Sequence, residues 1–275
     1  MTSAKRMMKA FLLIAVLGSG GWLGLGALET RAVYPFDSTR ILPATLGVKA
    51  REMTHVHDNQ TMVLWVAQPR ARAPVVLYLH GNAGNLATRA GRLQRFIDRG
   101  YGVIAPAYRG SSGSTGTPSE TAITGDMISL YNSLGDYVPG LNPNAVVIYG
   151  ESLGTGVALK LVASGARPAA VVLEAPFTSL PDVVRASVPR MTPLIPRMTS
   201  IWDSAHHAEK LRAPLLVLHG TDDTLIPIAQ GRAVLNAARS TTKQIVAING
   251  AGHHDIWRGD VLPRIWRFIE TYGRR

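Results

Sequence analysis

The chain has no cysteine among its 275 residues. Disulfides, thiolate-ligated zinc and a cysteine nucleophile are all excluded, and redox chemistry says nothing about the compartment. Blocks of like charge, internal repeats and low-complexity tracts are also missing. The formal net charge of +11, from 29 Lys and Arg against 18 Asp and Glu, therefore comes from arginines scattered along the chain. Such a surface favours anionic lipid, and the pattern is not that of a nucleic-acid arm. There is no G-x-x-x-x-G-K-[ST], and "GSSGSTGTP" lacks the strand-to-helix context of a dinucleotide loop. The histidine pairs His55–His57 and His206–His207 come without HExxH or a third ligand, so no metal and no cofactor is expected.

One long apolar run is present. After Lys5, Arg6 and Lys9, nothing charged occurs from Ala10 to Leu28. As a helix this run spans about 28 Å, close to the hydrocarbon thickness of a bilayer. It exceeds the usual core of a cleaved signal peptide, and no Ala-x-Ala precedes Glu29, so residues 1–30 are read as an uncleaved single-pass anchor. Positive residues on the short side place the N-terminus in the cytoplasm and the remaining chain across the membrane, in the periplasm if the source is bacterial.

Beyond a Pro-containing linker, residues 47–56 and 60–67 read as a hairpin turning at "HDNQ". Apolar strands then alternate with helical stretches. The strands are expected at 75–80, 102–107, 145–150, 169–175, 214–220 and 243–248, with a last helix from about 256. Continuous apolar strands bracketed by helices predict an α/β domain over 31–275, with a mostly parallel central sheet, helices on both faces and ligand sites at the strand carboxyl ends. The proline-bearing stretch 176–213 is the only sizeable insertion and is read as a short helical lid. Trp257, Trp266 and Phe268 read as core.

"VVIYGESLGTG" (146–156) ends a buried strand on a serine between two glycines. A strand that reverses into a helix within one turn forces its apex toward positive φ and crowds its neighbours, which the glycines relieve. Ser152 is thus a candidate nucleophile, although capping the next helix is also ordinary work for a serine. A serine hydroxyl needs a base. "NGAGHHDIW" supplies His253, directly after the glycines, with His254 behind it. A carboxylate must hold the imidazole tautomer, and "VLHGTDDTLIP" offers both Asp222 and Asp223, either of which also suits a helix cap. Two donors must face the developing oxyanion, each contributing about 3 to 4 kcal/mol. The backbone amide of Leu153 is one, and that of Asn82 in "LHGNAGN" the other.

The order Ser152, Asp223, His253 resembles the α/β-hydrolase superfamily. More narrowly, "LHGNAGN", "YRGSSGSTGTPSE", "GESLGTGVA", "EAPFTSLPD", "HGTDDTLIP" and "GAGHHDI" resemble its Bem46-like, ABHD13-like branch, over nearly the whole chain from about residue 30. That pattern, H-G-x-x-D-x-x-[VI]-P, selects Asp223 and supports His253. One departure is Ala107, where the branch has an aspartate before Tyr108-Arg109-Gly110, which removes a possible partner of Arg109. Glu151 is expected to point away from substrate, and Glu174 to be either a support for the histidine loop or a solvated strand-end acid. The resemblance implies a membrane-anchored serine hydrolase of carboxylic esters, including lipid esters and thioesters. An aminopeptidase-like or amidase activity, or a non-catalytic membrane-tethered scaffold, are the alternatives.

Overall fold

The computed structural model describes residues 26–273. The predicted anchor up to residue 25 lies outside the described residues. Among those described, residues 26–33 are helical, and no helix is long and apolar enough to cross a membrane.

Eight strands make one sheet: β1 (Arg51–His57), β2 (Gln60–Ala67), β3 (Val75–Leu79), β4 (Gly102–Pro106), β5 (Val146–Glu151), β6 (Ala170–Glu174), β7 (Leu215–Gly220) and β8 (Lys243–Ile248). Their order is β1-β2-β4-β3-β5-β6-β7-β8. The β1–β2 hairpin is antiparallel and β2 runs antiparallel to β4, whereas every pairing from β4 through β8 is parallel. Asp58 and Asn59 close the hairpin at φ 51° and 55°, a left-handed pair that these short polar side chains tolerate. β1 starts at Arg51, later than expected, because a 3-10 turn over Pro43–Leu46 ends on Gly47 at φ 71°.

The central strands are buried on both faces, which is why they read as unbroken apolar runs. One face carries Leu77, Ile148, Leu173 and Val217 under the helices α2 (Glu120–Asn132), α3 (Leu153–Ala163) and α6 (Ile228–Ala237). The other carries Val76, Tyr149, Val172 and Leu216 under α1 (Ala90–Asp98) and α7 (Leu262–Tyr272). Trp257, Trp266 and Phe268 belong to that second core.

α7 begins later than the expected residue 256. Arg258 bridges Asp255 to the carbonyls of Asn249 and Gly250, which holds 253–261 in turns, and Pro263 opens the helix where its missing N–H costs nothing.

The insertion forms α4 (Leu180–Ser187), a 3-10 run over Pro189–Arg197 and α5 (Ser204–Ala208). Pro193 and Pro196 deny the middle run its α-helical donors. The distal end is core-packed. Trp202 is fully buried against Gly156 of α3, and its indole N–H donates to Tyr34 Oη at 2.9 Å. The amides of Ile201 and Trp202 donate to Glu120 at 2.7 and 2.8 Å, and those of Thr199 and Ser200 donate to Glu29. The 3-10 run stays outside, with Val188 and Met191 exposed. Between it and residues 26–33 lies an apolar groove of about 340 Å³, bordered by Leu28, Val33, Met191, Leu194 and Met198.

Candidate active site

β5 delivers Ser152 to the rim of the sheet at φ 50°, ψ −114°, directly before α3. The turn depends on its glycines. A Cβ on Gly154 would lie 2.0 Å from the Leu79 carbonyl oxygen, and one on Gly150 2.5 Å from that of Gly154. No side chain fits at either position. The Ser152 amide donates to the Glu174 carbonyl at 2.9 Å, which fixes the apex to the neighbouring strand.

His253 reaches the same rim from the loop after β8. Its Nε2 lies 3.0 Å from Ser152 Oγ and its Nδ1 2.7 Å from Asp223 Oδ2. An ionised carboxylate only accepts, so Nδ1 carries the ring proton and Nε2 is left to accept from the serine. The second oxygen of Asp223 accepts the amides of Leu225 and Ile226 at 3.0 and 2.8 Å. Burial works against its charge, but the His253 hydrogen bond and the Ile226 amide outweigh it and hold the carboxyl below the ordinary carboxylate range. The structure thus brings Ser152, Asp223 and His253 into one hydrogen-bonded row. Asp222 lies outside it, exposed and accepting from Thr221, and His254 stands edge-on to the His253 ring.

A small cleft opens over the row, bordered by Gly81, Asn82, Ala83, Glu151, Ser152, His253 and His254. Asn82 therefore lines the same cleft as the serine, and Leu153 follows the serine at the start of α3. Burial keeps the His80 imidazole neutral, down to about 4, while its Nδ1 donates to the Gly81 carbonyl at 2.7 Å and shapes the turn. Phe36 bridges to Gly84 from outside, Asp37 donates its amide to the same residue, and Asn82 Nδ2 reaches the Val33 carbonyl. The chain downstream of residue 26 thereby touches both the insertion and the loop at 81–85.

Two acids at the strand ends are placed by the packing. Glu151 lines the cleft, and its carboxylate pairs with Arg89 at 2.9 Å and accepts the Tyr78 hydroxyl at 2.6 Å. Burial alone would raise its pKa, but Arg89 and Arg92 pull it down to about 2. Of the two readings of Glu174, the solvated one falls. The residue is buried beside Arg92 at 2.8 Å and accepts from Tyr149 and from the indole of Trp257, which follows the histidine loop. Arg89 and Arg92 were not singled out from sequence. Arg89 ends the 3-10 turn before α1 and Arg92 lies in the first turn of α1, and both reach the carboxylates at the ends of β5 and β6.

Arg109 has found other partners despite Ala107, pairing with Asp126 at 2.8 Å through two nitrogens. His55 is bound to Tyr137 and Ser129, and His57 to Asp126. Among the described residues, no group of three or more His, Asp or Glu is placed to hold a metal.

A serine at a left-handed apex, faced by an imidazole and a carboxylate on a sheet of this order, defines the class: a serine hydrolase with the α/β-hydrolase fold. The profile described as serine aminopeptidase, S33 matches residues 69–206 and 193–258, and the chain belongs to that family, in its Bem46-like branch. Similar proteins include Bem46 of Schizosaccharomyces pombe, 30% identical over 217 residues, covering 78% of this chain and 72% of that one. The lysophosphatidylserine lipase ABHD12 of Danio rerio is 32% identical over 222 residues, 70% of this chain, and the chain spans only 56% of the lipase's length. Among solved structures, an esterase of Pyrococcus furiosus superposes with a TM-score of 0.71 at 16% identity, over 87% of this chain and 96% of that one, a likeness of fold.

Proposed function

We propose that the chain cleaves carboxylic esters through a covalent acyl-enzyme, with Ser152 as nucleophile, His253 as base and then acid, and Asp223 as the group that orients the imidazole. The observation that carries this reading is the continuous row from Ser152 Oγ through the His253 ring to Asp223. As Oγ bonds to the acyl carbon, its proton passes to Nε2, and the imidazolium is stabilised by the Asp223 carboxylate. The carbonyl oxygen becomes an oxyanion held by the amides of Leu153 and Asn82. Collapse breaks the acyl–oxygen bond, and the proton on Nε2 leaves with the alcohol. Water then repeats the sequence, giving the acid and free Ser152.

Lipid esters, such as lysophospholipids or acylglycerols, are the proposed substrates. Three observations support this: the apolar groove of about 340 Å³ beside the insertion, the uncharged run from Ala10 to Leu28, and the lipase among the relatives. The accompanying layout is an anchor over residues 1–30 with its start in the cytoplasm, a hydrolase domain over 31–275 on the far side, and the 176–213 insertion acting as a lid. The family description, serine aminopeptidase, favours a second reading in which the same row cleaves aminoacyl amides.

A fluorophosphonate probe tests the first part: labelling is expected in the native protein and absent in Ser152→Ala. Turnover of acyl esters of rising chain length, set against aminoacyl amides, tests the second. A preference for amides overturns the ester reading.

A further inference from the structure

The loop that carries the Asn82 amide is held from beneath by one guanidinium. Arg89, at 9% exposure, lies between that loop and the end of β5. Its Nη2 donates to Glu151 Oε1 at 2.9 Å and its Nε approaches Oε2 at 3.3 Å, so one side of the fork grips the residue next to Ser152. The other side, Nη1, donates to the carbonyl of Ala83, the residue after Asn82, and to Thr88 Oγ1. The residue before Asn82 closes on the same group. A Cβ on Gly81 would stand 3.1 Å from Glu151 Oε1 and 3.2 Å from Arg89 Nη2, closer than most Cβ contacts, so the backbone at 81 lies directly against this pair. Both neighbours of Asn82 are therefore registered against Arg89, and Arg89 against the neighbour of the nucleophile. Glu151 is itself fixed by the Tyr78 hydroxyl and by its ladder position opposite Glu174.

Resting on the esterase reading above, we propose that Arg89 is a positioning residue: by bridging Glu151 and Ala83 it sets the distance between the Asn82 amide and the oxygen formed at Ser152. Oxyanion donors act only within about 2.7–3.1 Å of the charge, and a misplacement of about 1 Å costs on the order of 100-fold in rate. The fork geometry suits an arginine. A lysine at this position keeps a charge for Glu151 and has no second arm for the Ala83 carbonyl.

The experiment follows hydrolysis of a p-nitrophenyl ester and the rate of fluorophosphonate labelling in Arg89→Met, Arg89→Lys and the double variant Arg89→Met/Glu151→Gln, with Ser152→Ala alongside. Arg89→Met is expected to lower kcat about 100-fold with KM within about twofold, and to slow labelling in parallel, because the phosphonyl oxygen uses the same amides. Arg89→Lys recovers stability and only part of the rate. The double variant removes a carboxylate that has lost its nearer guanidinium and keeps only Arg92 at 3.7 Å, so its unfolding midpoint rises above that of Arg89→Met while kcat stays low. Recovery of kcat together with the midpoint assigns the loss to stability and overturns the proposal. So does a folded Arg89→Met with native kcat, or one in which only KM rises. Turnover or labelling that survives in Ser152→Ala sinks the esterase reading instead, whatever the Arg89 variants do.

Discussion

Two polar clusters share the rim of the sheet. In the first, Ser152, His253 and Asp223 come from three loops separated by up to 101 positions, joined by two hydrogen bonds and open to the cleft. In the second, Arg89, Arg92, Glu151 and Glu174 balance two positive against two negative charges, line the same cleft beside the first and are walled by Tyr78, Tyr149 and Trp257. The contrast is one of tolerance. The row of three hangs on single hydrogen bonds, His253 Nε2 to Ser152 and Nδ1 to Asp223, whereas the second cluster holds its carboxylates by several partners each.

The comparison can be broken from either side. The largest effect is expected from His253→Ala, which lowers kcat on an ester by about 10⁴-fold or more while shifting the thermal midpoint little, read by single-turnover kinetics and calorimetry. Asp223→Asn comes next, with a loss of about 10⁴-fold, since the amide still accepts the Leu225 and Ile226 amides yet no longer stabilises an imidazolium. Glu174→Ala leaves Arg92 with Glu151 alone, 3.7 Å away, and denaturant titration should show about 3 kcal/mol of lost stability. If that variant is as stable as the parent, the second cluster is not the structural one.

A subtler test uses acid. The folded Glu151 carboxyl sits at about 2 against an ordinary 4.5, so its stabilisation is complete above about pH 4.5 and disappears as the pH falls toward 2. Over that interval Glu151→Gln should lose less stability than the parent chain. The smallest effect is expected of Glu29→Gln, about 1 kcal/mol, because the neutral amide still accepts some of the Thr199 and Ser200 donors.

Why the first cluster was legible and the second was not follows from where each residue sits. Gly150, Gly154 and the glycines before His253 mark backbone that must bend sharply, and a bend at a strand end is a local signal. The alternation of strands and helices was visible for the same reason, with ends displaced by a few residues where turns such as 253–261 are held by long-range bonds to Arg258. Arg89 and Glu151 lie 62 positions apart, and nothing near either announces the other. Charged residues on a helix read as a solvated face until the sheet beneath is known to offer carboxylates. The partners of Glu151 were not legible because its register opposite Glu174, with Arg89 and Arg92 beside both, exists only once β5 and β6 are paired.

The stretch from Glu29 to Asp37 has a mechanical consequence. Within nine positions it is pinned to the insertion by Glu29 and Tyr34 and to the loop at 81–85 by Phe36 and Asp37. A leash so short has no slack. The stretch by which the chain enters the domain thus ties the insertion to the loop that borders the reaction cleft, so the two cannot shift independently without breaking one of its ends.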